Sequence, residues 1–167
     1  GVCGGPDMAS AAADAGYDFI ESSVAALLKP LENENAFEEA LKAHIDAALP
    51  CPVVNCFVPG DLKITGPDAD MGRLEEYVTT VFTRAARANL KVIVFGSGGA
   101  RNVPDGFDMD RAREQVVEFC RMFAPVARDN GVTVALEPLH EADCNMVTKV
   151  GEGAAIVREV DHPALRL

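Results

Sequence analysis

Short apolar runs alternate with helix-period segments along the whole chain, and no linker or low-complexity stretch interrupts them. The runs are "DFIES", "PVVNCFV", "KVIVFG", "VTVALE" and the terminal "ALRL", while "VCGG" at the start reads as the tail of another strand. Met109, Ala112, Val116, Phe119, Phe123 and Val126 recur in steps of three and four, one face of a helix over 108–130. Asp108 supplies its N-cap, Asn130-Gly131 its stop, and Pro125 a kink in its last turns. Leu74, Val78, Val81, Ala85 and Ala88 predict a second helix over 70–89. A third starts with Asn35 and Glu38 in capping-box spacing, carries Phe37, Leu41, Ile45 and Ala48, and stops at Pro50. Shorter helical segments fit 7–15 and 151–160.

Alternation of this kind implies parallel strands joined by helical crossovers. Two architectures compete. A doubly wound five-stranded sheet suits the length of 167 residues. A (β/α)8 barrel takes about 250 residues, so this chain would hold the first five βα units and a stub of the sixth. Strand periodicity favours the barrel. In 132–137, Val132, Val134 and Leu136 share one face, and Thr133, Ala135 and Glu137 share the other. Bulky groups on one side and small ones ending in an acid on the other suit a strand between outer helices and a barrel interior. A strand covered by helices on both faces is usually bulky on both. The expected domain is a single one over 1–167, cut at both ends and mainly at the C-terminal one.

Acids outnumber bases 26 to 15, a formal charge of −11, which argues against a phosphate-backbone partner. No apolar run approaches the roughly 20 residues of a membrane span. Five cysteines without metal-type pair spacing read as reduced thiols, which places the expected home in the cytoplasm. Cys120 reads as a small buried hydrophobe, His44 as structural and His162 as a helix-end residue.

In parallel α/β folds, functional groups gather where strands give way to loops at their C-terminal ends. Glu21 lies next to the end of "DFIES", Arg101 follows the glycines of "VIVFGSGGAR", and Glu137, His140, Glu141, Asp143 and Asn145 follow "VTVAL". Glu137, fixed by Pro138, could bind a divalent cation or move a proton, or else cap the loop or pair with Arg101. "GSGGAR" could form an anion nest or merely allow close backbone packing, and it matches neither the dinucleotide fingerprint nor the P-loop. His140 has three readings: metal ligand, contact to a substrate hydroxyl, or solvated loop histidine.

Taken in order, "FIESSVAAL", "FVPGDLKITGP", "VFGSGGARNVPDGF" and "LEPLHEADCN…GEGAAIVREVDHP" resemble the sugar phosphate isomerase/epimerase family with the xylose-isomerase-like TIM barrel, which includes ketose 3-epimerases and hydroxypyruvate isomerases. The resemblance implies a barrel enzyme with one divalent metal ion (manganese, magnesium, cobalt or zinc) at the C-terminal mouth. Its ligands are a Glu, an Asp, a His and a second Glu from successive strands. Glu137 matches the first of them, as both metal ligand and catalytic acid/base, and the others would follow Leu167. The substrate would be a sugar or sugar phosphate held by His140, Asp143, Arg101 and Glu21, with no nucleic acid or membrane partner and a homo-oligomer as one expectation. Many relatives carry Asn-Arg where this chain has His140-Glu141, and Asp143 stands where some epimerases place a substrate-binding Glu. Two further readings compete: an endonuclease-IV-like repair enzyme on the same fold, and a complete non-catalytic domain that binds an anion through "GSGGAR".

Overall fold

The computed structural model describes residues 1–167. Six strands lie in one sheet: β1 (Val2–Cys3), β2 (Ile20–Ser23), β3 (Val53–Asn55), β4 (Val92–Phe95), β5 (Thr133–Leu136) and β6 (Leu165–Arg166). Every neighbouring pair is parallel, and the order across the sheet is the order along the chain. A doubly wound sheet reverses its strand order at a switch point, and none reverses here. Right-handed crossovers in one direction put every helix on the same side. The sheet is therefore a barrel wall, a partial TIM barrel, as the face pattern predicts.

Register separates the two faces. Ser22, Val54, Ile93, Val134 and Leu165 are successive partners across the sheet, and all are buried. The row beside it, Glu21, Val53, Val92 and Thr133, is only half-buried. In β5 the expected division holds: Val132, Val134 and Leu136 are buried, Thr133 and Ala135 half-buried, and Glu137 beyond the strand exposed.

The outer helices follow their caps. α1 (Ala9–Asp14) continues a 3-10 turn at Pro6–Met8, and α3 spans Glu34–Ile45. Asp70 accepts from the backbone N–H of Arg73 to start α4 (Met71–Arg87), and Asp108 from that of Arg111 to start α6 (Met109–Asp129). α7 covers Val150–Val160. The helix α6 runs through Pro125 to its predicted stop. Two details differ from the sequence reading. The α3 cap is Asn33, which accepts from the N–H of Ala36, rather than Asn35. Ile45 is 70% exposed, because the helix ends there and turns it away from the core. Two one-turn helices, α2 (Val24–Leu27) and α5 (Gly98–Arg101), have too few residues for a periodic signature.

Phe57, Phe82, Phe95, Phe119 and Phe123 interlock between the sheet, α4 and α6, with ring centroids 5.1 to 6.1 Å apart. Most pairs are tilted or edge-on, the arrangement favoured by the ring quadrupoles. The loop between β3 and α4 is stapled to α6 by one amide. Gln115 accepts from the N–H of Gly66 at 2.9 Å and donates to its carbonyl at 3.0 Å. His44 is buried with Nδ1 2.8 Å from the Ala40 carbonyl, a structural placement. No helix is long and apolar enough to cross a membrane.

Candidate functional site at the strand C-termini

β5 passes directly into Glu137, whose N–H donates to the carbonyl of Phe95 on β4 at 3.1 Å. This bond extends the β4–β5 ladder by one residue and fixes the backbone from which the carboxylate projects. Glu137 opens onto a cleft of about 800 Å³ at the C-terminal ends of the strands, walled also by Glu21, Ser23, Asn55, Cys56 and Gly96. Asn55, the last residue of β3, donates from Nδ2 to Glu21 Oε1 at 3.0 Å, so the Glu21 carboxylate is held against the wall. Cys56 has a left-handed backbone (φ 52°). Burial chiefly raises its thiol's pKa, and the nearby charges of Glu137, then Cys3 and Glu21, push the same way.

Of the residues expected to contact substrate, the structure brings Glu21 to this cleft beside Glu137 and places the other three elsewhere. Arg101 is fully buried. Its Nη1 donates to the Phe95 carbonyl at 3.1 Å and its Nη2 to the Glu137 carbonyl at 2.8 Å, with the guanidinium 5.5 Å from the centre of the Phe95 ring. The side chain braces the ends of β4 and β5 from the outer side rather than facing a ligand. The alternative in which the Glu137 carboxylate pairs with Arg101 is not what the structure has: Arg101 bonds the backbone carbonyl of Glu137 and no ion pair joins the two side chains.

His140 is exposed and closes its own turn, with Nδ1 accepting from the N–H of Ala142 at 3.1 Å. Asp143 lines a separate cleft of about 450 Å³, beside Lys63, Asp68 and Glu141. Asn145 is engaged with Val103, accepting from its N–H at 2.7 Å and donating to its carbonyl at 2.9 Å.

The glycine-rich loop after β4 is a close-packing device. A side chain at Gly98 would press on the Asp143 carbonyl at 2.9 Å, and one at Gly99 on the Cα of Gly60 at 3.1 Å. Inside the loop, the N–H groups of Ala100 and Arg101 both donate to the Ser97 carbonyl. Ser97 Oγ accepts from the N–H of Val58 at 2.9 Å, tying the loop to the one after β3. Sequence reasoning missed Asn55, Cys56 and Gly96 as cleft residues. Asn55 follows the same strand-end rule that singles out Glu21 and Glu137, so that rule could have found it.

No three His, Cys, Asp or Glu side chains come together in a way that would hold a metal ion. Glu137 is a single carboxylate, so these residues alone do not build the metal centre implied by the resemblance. What the arrangement offers chemically is one solvent-reachable carboxylate with a fixed backbone and a second, Glu21, held by an amide in the same cleft.

No curated protein sequence matches the chain significantly. Solved structures do. A D-psicose 3-epimerase from Clostridium cellulolyticum H10, determined with D-tagatose, superposes with a TM-score of 0.79 at 20% identity, over 96% of this chain and 55% of that one. An AP endonuclease family 2 protein from Brucella melitensis gives 0.69 at 20% identity, over 96% and 60%. A xylose isomerase-like TIM barrel protein from Mycobacterium smegmatis in complex with magnesium gives 0.69 at 16% identity, over 96% and 54%. The chain thus spans little more than half the length of these structures, and at such identities the likeness establishes the fold. The sequence profile of the xylose isomerase-like TIM barrel family matches residues 9–167, and the chain belongs to that family.

Proposed function

We propose that the chain forms the first strands of a sugar or sugar-phosphate isomerase or epimerase, in which Glu137 moves the proton. The observation that carries this reading is the Glu137 carboxylate, aimed into a cleft at the strand C-termini from a backbone held on both sides by β4 and Arg101. Barrel enzymes concentrate their chemistry at this end.

A ketose carries an acidic C–H beside its carbonyl. A carboxylate within reach of that carbon takes the proton, leaving an enediolate. Return of the proton by the same group to the neighbouring carbon gives the isomer, and delivery of a proton by a second acid on the opposite face gives the epimer. Glu21, Ser23 and Asn55 present hydrogen-bonding groups to sugar hydroxyls in the same cleft. A divalent cation would stabilise the negative charge of the enediolate. Its remaining ligands would come from strands other than these six.

The cleft's charge supports a small neutral ligand. Glu21, Glu32 and Glu137 line it against a single cation, Lys29, whose amine lies 3.0 Å from Glu32. Such a wall disfavours a phosphodiester chain, which is held by Lys and Arg, and we therefore place the endonuclease reading second. Arg101 is bonded to carbonyls, so among the residues present the free sugar is favoured over its phosphate.

The test uses the complete natural polypeptide, incubated in D2O with a panel of ketohexoses and their phosphates. Deuterium should enter the carbon next to the carbonyl, and Glu137→Gln should abolish this exchange while leaving the melting temperature within a few degrees. Normal exchange in Glu137→Gln would show that another group is the base. No exchange by the native protein on any member of the panel would remove the sugar reading.

A further inference from the structure

We infer that Gly96 is a positioning residue for the Glu137 carboxylate: the missing side chain at 96 is the space in which Glu137 Oε2 sits. The inference rests on the proton-transfer role proposed for Glu137 and adds the residue that aims it.

Two explanations of a glycine at a strand end can be separated here. One is backbone conformation, because glycine tolerates the left-handed region that other residues avoid. Gly16, Gly66, Gly106 and Gly131 have positive φ, and Gly96 does not. Its backbone would accept alanine. The other explanation is close approach, and this is what the structure gives. A Cβ built on Gly96 collides with Glu137 Oε2 and comes within 3.3 Å of Leu139 Cδ2. The nearest obstruction is the carboxylate itself, the far end of a flexible side chain.

Position 96 also follows from register. Phe95 pairs with Leu136, so Gly96 and Glu137 stand side by side just past the ends of β4 and β5. Arg101 fixes the Glu137 backbone through its carbonyl, and the bare backbone at 96 fixes where the acid end can lie. A methyl group at 96 would leave strand and loop in place and push the carboxylate out of the position it holds in the cleft. Misplacement of a reacting group by about 1 Å costs on the order of 100-fold in rate.

The experiment compares Gly96→Ala, Glu137→Asp and the double variant in the complete polypeptide, using D-psicose and the same ketohexose panel. Gly96→Ala should lower kcat about 100-fold, with KM changed less than about threefold and the melting temperature unchanged. Aspartate is one methylene shorter and withdraws its carboxylate from the space taken by the new methyl. The double variant should therefore lose far less than the product of the two single losses, a non-additivity that general damage to the fold would not produce. Gly96→Ala with kcat within twofold of the native protein, or single losses that multiply, would overturn the inference. If Glu137→Gln is inactive and Gly96→Ala is normal, only the role of Gly96 falls. If Glu137→Gln exchanges normally, the proposed proton transfer falls and the positioning role with it.

Discussion

The two faces of the sheet are built to different standards. On the outer face, Val54, Ile93 and Val134 are completely buried under a cluster of phenylalanines. On the inner face, Val53, Val92, Thr133 and Ala135 are half-exposed, and the polar groups increase toward the C-terminal ends until Glu137 stands in the open. Apolar burial at about 25 cal/mol per Å² makes the outer face the source of stability. The difference shows that the packed core and the polar cleft are separated by the alternation of the strands, one residue apart. A substitution's effect on folding should depend on the parity of its position more than on its distance from the cleft.

The sharpest way to break this division is to cut equal distances into both faces. Phe123→Ala should cost about 3–5 kcal/mol, because its ring touches four others. Val94→Ala, on the inner face of β4, should cost less than about 1 kcal/mol, in keeping with its partial exposure. Urea melts of both variants decide the matter, and similar costs would show that the inner face carries a core of its own.

Arg101 sharpens the comparison because it is a charged side chain on the packed side. Burial pushes its pKa down, the larger effect, and nearby groups including Cys144 and Glu137 oppose it. Arg101→Met fills much of the same volume but removes the guanidinium donor from the Glu137 carbonyl and leaves the Phe95 carbonyl only the N–H of Glu137. It should cost about 2–3 kcal/mol in denaturant melts. A stability near that of the native protein would mean that the brace is dispensable.

These residues also mark what the sequence could and could not reveal. Strand and helix placement was legible because burial on one face imprints a period, and Glu137 stood out as an acid ending an apolar run. The direction of Arg101 was not legible. An arginine after three glycines at a strand end reads as a substrate contact, and only the carbonyls contributed by residues 95 and 137 explain its burial. The engagement of Asn145 was equally illegible, since its partner Val103 lies on another loop. Gly96 could not be separated from Gly98 and Gly99 by sequence, because each makes way for a different neighbour that only the fold brings near.

The smallest expected effect concerns Cys120, buried on the packed side. Burial pushes its thiol up to about 12. An unfolded thiol titrates near 8.5. Between these values the unfolded chain loses a proton that the folded one keeps, so stability is full below about pH 8.5 and declines as pH rises toward 12. Burial raises the Tyr77 hydroxyl in the same direction. At pH 9 the loss from Cys120 should stay under about 1 kcal/mol, and melts of Cys120→Ala from pH 7 to 10 should show a shallower decline. An unchanged slope would assign the alkaline loss elsewhere.

The sequential order of the strands has a consequence for how the chain is made. Each strand pairs with the one synthesised just before it, across a crossover of one or two helices. In an order with a switch point, an early strand has to wait for a neighbour encoded far downstream. Here each βα unit can dock on its predecessor as it leaves the ribosome, so no strand pairing has to wait for a unit two or more places downstream. The unpaired edges that need protection from aggregation are then β1 on one side and the newest strand on the other.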